Sequence, residues 1–158
     1  MQKIVTFLWY DNQAEEAANL YVSTFKNSKI TNVSRYGEAG PGPKGSAMVV
    51  AFELEGQQFM ALNGGPHYSF TPAISLLVNC ETQQEVDELW DKLLAGGGKP
   101  SRCGWLQDKF GLSWQIIPTA LGKLVGDPDP EKSKRVMQAM LQMEKIDIVR
   151  LQQAHDGE

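Results

Sequence analysis

The segment Ser113-Trp114-Gln115-Ile116-Ile117-Pro118 sets one amide, Gln115, inside an otherwise apolar strand that follows a glycine at position 111. An amide in that position either meets solvent, pairs with other groups of the protein, or points into a cavity as a hydrogen-bonding group or metal ligand. Few other side chains can do chemistry. His67 follows Leu62-Asn63-Gly64-Gly65-Pro66 in a loop and could act as an acid or base, but no partner stands at a usable spacing. Cys80 and Cys103 lie 23 positions apart and form neither a CxxC pair nor a zinc knuckle, so two reduced, partly buried thiols are expected. Trp105 and Trp114 offer stacking surfaces, although aromatic residues in strands are more often core.

These groups need elements to position them. The 158 residues, 42% of them apolar, suffice for one compact domain or two small halves sharing a core. A net charge of -4 without any dense run of Lys or Arg argues against nucleic acid as a partner. The apolar stretch from Ile4 to Trp9 is too short for a signal segment, and no apolar run approaches the roughly 18 to 20 residues that cross a bilayer. A soluble, cytoplasmic protein with no membrane partner is therefore expected.

An internal repeat organises the chain. At an offset of 69, Val5-Thr6-Phe7-Leu8-Trp9 lies on Ile74-Ser75-Leu76-Leu77-Val78, and Ala17, Leu20, Tyr21 and Phe25 lie on Val86, Leu89, Trp90 and Leu94. Each copy opens with a strand and continues into an amphipathic helix, with Asn12 and Glu15, then Thr82 and Glu85, as expected capping pairs. Strand-like segments follow at 29–36, 47–55 and 57–62, and again between 99 and 117, so each half reads βαβββ. Gly56 and Gly111 mark the tight turns. The segment Gly37 to Gly45 reads as a mobile loop, a connector or a lid. After a proline-rich break at Asp127, Val136, Met140, Met143, Ile146, Ile148 and Leu151 form an apolar stripe, and the flexible lead-in favours docking on a partner chain.

The tandem βαβββ pattern resembles the PhnB-like family of the vicinal oxygen chelate (glyoxalase/bleomycin resistance/dioxygenase) superfamily. So do Leu62 to Pro66 (LNGGP), Cys103 to Pro118 (CGWLQDKFGLSWQIIP) and Met143 to Ile148 (MEKIDI). The resemblance covers essentially the whole chain, most specifically in DKFGLSWQ. It implies an α+β fold whose tandem βαβββ repeats form a curved mixed-sheet cup with an extra C-terminal helix. The expected parts of this single domain are 1–66, 72–118 and 127–154, and a homodimer is the implied assembly. Relatives in the superfamily include glyoxalase I, extradiol dioxygenases and the fosfomycin and bleomycin resistance proteins. Some members of the closer family carry the label 3-demethylubiquinone-9 3-methyltransferase.

Metal-dependent relatives take ligands from strands lining the cup. Carried over by that resemblance, the four places are Thr6, Ser75, Met60 and Gln115, of which only Gln115 suits a divalent cation. No metal and no cofactor are therefore expected. Strand alternation gives a separate reading of the lining. If Val5, Phe7, Trp9, Phe59, Ile74, Leu76, Val78, Trp114 and Ile116 face the helices, the opposite face carries Thr6, Leu8, Tyr10, Gln58, Met60, Leu62, Ser75, Leu77, Asn79, Ser113, Gln115 and Ile117. Those twelve include no charged residue, which is the makeup of a pocket for a small, partly apolar ligand.

Four functions compete at this point. A neutral ligand-binding cup, with turnover undecided, fits the lining. A metal-dependent lyase, isomerase or dioxygenase needs ligands from elsewhere, such as His67 or Asn63. A methyltransferase is disfavoured, because Gly96-Gly97-Gly98 follows a helix, whereas nucleotide-cofactor sites want the glycines between a strand and a helix. An interaction protein would use the Met-rich C-terminal helix.

Overall fold

The computed structural model describes residues 2–158, which divide into two compact units, one ending at Phe70 and the other running from Thr71 to Glu158. The first unit contains β1 (Thr6–Tyr10), α1 (Ala14–Thr24), β2 (Lys29–Arg35), β3 (Ala47–Leu54) and β4 (Gln57–Asn63). Its sheet has the order β1-β4-β3-β2, with β1 and β4 parallel and the other pairs antiparallel. The turn between β3 and β4 is the two-residue Glu55-Gly56, both at positive φ, the conformation whose twist matches a hairpin.

Tyr21 of α1 lies over the sheet, its ring 6.1 Å from that of Phe52, which stacks on Phe59 at 5.5 Å. Val50, Phe52, Phe59 and Ala61 are buried on that face. Helix α1 starts without the expected Asn12–Glu15 pair. Its N-cap, Gln13, makes no side-chain bond, and Asn63 Oδ1, at the end of β4, accepts from the Ala14 amide at 2.7 Å instead. The orphan amide is satisfied by tertiary structure rather than by the preceding residue.

The second unit repeats the plan with β5 (Ser75–Cys80), α2 (Gln83–Leu94), β6 (Lys99–Pro100), β7 (Trp105–Gln107) and β8 (Ser113–Pro118) in the order β5-β8-β7-β6, with β5 and β8 parallel. Here the expected cap is present: Thr82 Oγ1 accepts from the Glu85 amide at 3.1 Å, and the Glu85 carboxylate accepts from the Glu81 amide at 3.0 Å. Val86, Leu89, Trp90 and Leu93 of α2 are buried, as are Leu106, Trp114 and Ile116 of the sheet it contacts.

The turn from β7 to β8 is organised by one carboxylate. Asp108, 3% exposed, accepts at Oδ1 from the amides of Phe110 (2.9 Å) and Leu112 (3.1 Å), and at Oδ2 from the indole Nε1 of Trp114 (2.9 Å). Gly111 supplies the positive φ, +91°, that lets the backbone fold back around it. The Asp, Gly and Trp of DKFGLSW are thus one structural device, and it sets the register in which Gln115 emerges as the next residue.

Beyond β8 a short helix α3 (Thr119–Val125) follows directly, and the single helix expected after Asp127 is two, α4 (Pro130–Met140) and α5 (Ile148–Asp156). Leu121, Val136, Met143, Ile146 and Leu151 form their own buried cluster, with Ile117 of β8 packed against it. The stripe therefore packs on its own chain. The break between α4 and α5 is the MEKIDI segment, held by backbone bonds from Cys103 N to Met143 O and from Gly104 N to Glu144 O, both 2.8 Å. Gln83 at the start of α2 grips the same segment from both ends, donating to Ile146 O at 2.9 Å and accepting from Ile148 N at 2.8 Å. A side chain at Gly104 would meet Ile117 Cδ1 at 2.8 Å, so the close approach requires glycine. Among the described residues no helix is long and apolar enough to cross a membrane.

Removing the Asp108 carboxylate strands three donors. Asp108→Ala should cost about 3 kcal/mol of stability in urea denaturation, and Asp108→Asn, which keeps one acceptor oxygen, roughly half of that. A loss below about 0.5 kcal/mol for Asp108→Ala would show that the turn does not depend on these bonds.

The end of α5 is clasped by His155, whose Nδ1 lies 2.9 Å from Asp156 Oδ1 and whose Nε2 lies 2.8 Å from Asp127 Oδ2. The Asp156 and then the Asp127 carboxylate raise the imidazole pKa above its ordinary 6.5. Asp127 is lowered from 3.8 by the Asp129 amide and then by His155, and Asp156 by His155 and then Gln152. A raised histidine stabilises fully below its unfolded value and loses that contribution as pH climbs through its folded value; lowered carboxylates stabilise above theirs and fail in acid. The clasp is therefore strongest between 3.8 and 6.5. His155→Gln should lower Tm most at about pH 5.5 and progressively less toward about pH 9. A Tm deficit that is flat across that range would mean that charge plays no part.

Candidate functional site

Sheet register decides which side chains share the face turned away from each helix. In the second unit the pairs Ser75–Ser113, Leu77–Gln115 and Asn79–Ile117 lie on that face, with Trp105 beside Gln115 and Gln107 beside Ser113. This is the arrangement expected from alternation. Leu77 is 51% exposed, while Ile117 is taken up by the C-terminal cluster. The open part of the face thus consists of Ser75, Leu77, Asn79, Trp105, Gln107 and Gln115, with Ser113 on the same face but buried.

Gln115 Nε2 donates to Ser75 Oγ at 2.9 Å across the parallel pair. The amide is therefore partly satisfied within the protein, but its Oε1 acceptor and the Ser75 hydroxyl proton are left for another partner. Ser113 is 1% exposed, and its Oγ has no hydrogen-bond partner among the described residues. A buried hydroxyl left unpaired costs of order 1 to 3 kcal/mol, so a protein rarely keeps one without a use for it.

In the first unit the expected face is reversed along β1. Thr6 pairs with Phe59, Leu8 with Ala61 and Tyr10 with Asn63, so all three lie on the α1 side. Tyr10 shows it directly: it is 3% exposed, and its hydroxyl is 2.9 Å from that of Tyr21 on α1. The open face carries Phe7, Trp9, Gln58, Met60 and Leu62 instead, with Phe7 53% exposed. Phe7 pairs with Met60 as Leu77 pairs with Gln115, so the first strands correspond at an offset of 70, one more than the helices. Strand side chains alternate with a period of 2, and that single residue turned over every assignment along β1, while those along β4, β5 and β8 stand. Thr6 is consequently not on the face that holds Met60, and the four places carried over from metal-dependent relatives do not form equivalent pairs in the two halves. Among the described residues no three His, Cys, Asp or Glu side chains gather as a metal site requires.

His67 is not isolated in a featureless loop. It lines a cleft of about 440 Å3 in the first unit with Asp11, Asn12, Tyr36, Asn63 and the Gly64-Gly65-Pro66 turn. Of these only His67 and Asn63 stand out in the sequence as functional groups; Asn12 reads there as a helix cap and Gly64-Gly65-Pro66 as part of LNGGP. Burial, followed by the charges of Glu85 and Glu81, pushes the Cys80 thiol up to about 12, so it is an inert core residue. Gly96 and Gly97 sit at φ +84° and +131° behind α2, and the Gly98 amide donates back to Leu94 O at 2.9 Å. The three glycines are the end of a helix and do not cradle a nucleotide at the start of one.

Residues 2–117 match the family model described as 3-demethylubiquinone-9 3-methyltransferase. A PhnB protein from Bacillus cereus that carries the same label is 42% identical, with a TM-score of 0.69 over 75% of this chain and 100% of that one. Protein PA1353 from Pseudomonas aeruginosa shares the fold at 19% identity, with a TM-score of 0.62 over 75% and 98% of the two chains. No curated protein matches. The tandem βαβββ arrangement is present, and the chain belongs to the PhnB-like, 3-demethylubiquinone-9 3-methyltransferase-labelled family.

Proposed function

We propose that this PhnB-like protein binds a small, neutral, partly apolar molecule on the open face of its second half-sheet, without a conventional metal. The observation that carries the reading is the buried, unpartnered Ser113 hydroxyl beside the Gln115–Ser75 pair. Three neutral polar groups converge there among Leu77 and Trp105, the composition of a ligand site rather than of a solvated surface. The ligand donates a hydrogen bond to Gln115 Oε1 and lays an apolar body on Leu77. Gln58, Met60 and Leu62 on the open face of the first half-sheet are the corresponding candidates there, while Thr6, Leu8 and Tyr10 leave the reading because they face α1. A homodimer belongs to the same proposal, supported by Met137, Leu141 and Val149, which stand exposed on α4 and α5. The methyltransferase label is a family name, and nothing in the position of the glycines favours that reaction.

Neutral ring compounds with a donor, such as benzyl alcohol and benzamide, should raise Tm where toluene does so less. Gln115→Leu should weaken that binding by about 10-fold. Hits indifferent to Gln115→Leu and Ser113→Ala would sink the assignment. So would a stoichiometric metal retained through dialysis and detected by plasma mass spectrometry. Light scattering on the same preparations should give twice the 17.5 kDa chain mass if the dimer forms.

A further inference from the structure

A second set of unused polar groups lies in the first unit, far in sequence from Gln115. The cleft there sits at the C-terminal ends of the parallel strands β1 and β4, between Asp11-Asn12, the turn from Asn63 to His67, and the 37–45 loop. At about 440 Å3 it falls within the range of small-molecule sites.

Its walls are built, and the glycine-proline loop is part of them. Tyr36 is buried and donates its hydroxyl proton to Asn63 O at 2.6 Å. The loop closes around that ring through Tyr36 N to Ser46 O (2.9 Å) and Gly45 N to Tyr36 O (2.8 Å). Gly40 and Gly42 approach the ring so closely that a Cβ on either would overlap it. On the other side Asn63 donates to Ala47 O at 3.0 Å while capping α1, and Gly65 is held by Asp11 O at 3.1 Å and by the Trp9 indole at 2.9 Å. A cleft so braced does not have to be ordered by its ligand, which removes part of the cost of binding.

The chemistry of the lining selects the ligand. Pro41, Pro43 and Pro66 present apolar rings. Asp11, Asn12 and His67 bring polar side chains that make no hydrogen bond to another described residue. One carboxylate is present and no Lys or Arg, so an anion would meet repulsion with nothing to offset it, while a cation finds a charge-assisted partner. We propose that this cleft is a second small-molecule site, independent of the Gln115 face, which takes a protonated primary amine carried on a small apolar ring. Asp11 accepts from the ammonium group, Asn12 accepts a further N–H, and the proline rings pack on the ligand's ring.

The test is a titration of the isotopically labelled full chain with benzylamine, followed at the amides of Gly42, Gly64 and Gly65 and at the His67 ring protons, with benzoate and benzyl alcohol as matched probes. Benzylamine should give saturable shifts at these positions, weakened about 10-fold by Asp11→Asn and not by Gln115→Leu. Asp11 is exposed, so its variant keeps the fold. Gly42→Ala, which drives a methyl group against Tyr36, is a second variant expected to weaken the same shifts. The proposal fails if benzylamine produces no saturable shift, if benzoate or benzyl alcohol binds as tightly, or if Asp11→Asn binds benzylamine like the parent. Because Gln115→Leu is predicted silent here, failure of this site and failure of the Gln115 site are separate results.

Discussion

One buried carboxylate, Asp108, governs the geometry of the second unit. Its two oxygens gather two backbone amides and an indole N–H, so that the chain reverses within a few residues and enters β8 in a single register. A slip of one residue there would bury Gln115 with the α2 core and turn Trp114 outward, since neighbouring strand side chains point to opposite faces. The position of the polar face therefore depends on a group that is not part of it. The desolvation cost of burying the carboxyl group is offset by three donors already fixed in place.

Asn63 plays the corresponding part in the first unit with a neutral side chain. Its oxygen caps α1, its nitrogen ties to β3, and its backbone carbonyl receives the Tyr36 hydroxyl. A helix start, a strand end and a long loop meet on one amide whose hydrogen-bonding groups are matched in type. Around it the exposed side chains of Asp11, Asn12 and His67 make no hydrogen bond to another described residue and remain available at the rim of the cleft.

The C-terminal helices complete the second unit. The MEKIDI segment bonds to the backbone of Cys103 and Gly104 and is gripped by Gln83, while Ile117 leaves the open face of β8 to join the helical cluster. The three sequence motifs that carry the family resemblance thus have local physical explanations: LNGGP forms the Asn63 hub, DKFGLSWQ the Asp108 turn, and MEKIDI the strap. None of the three requires a catalytic role to account for its residues, and for that reason the family name does not by itself indicate a reaction.

Much was legible in the sequence because it is local. The βαβββ halves follow from alternating and helical apolar periods, the Thr82–Glu85 cap from adjacent residues, the glycine turns from the need for positive φ, and the polar face of β8 from alternation anchored at Trp114. What tertiary structure alone decided is non-local. The face of β1 depended on its pairing with β4, and an offset of 69 that held for the helices was wrong by one for the strand. The cap of α1 came from Asn63, a residue 49 positions away from the amide it holds. The cleft around His67 needed Tyr36, Asn63 and Asp11 to converge from three separate segments. Local periodicity specifies which residues alternate or line up along an element; only the pairing of distant elements specifies which of the two faces meets the core, and that choice fixed every candidate binding group in this protein.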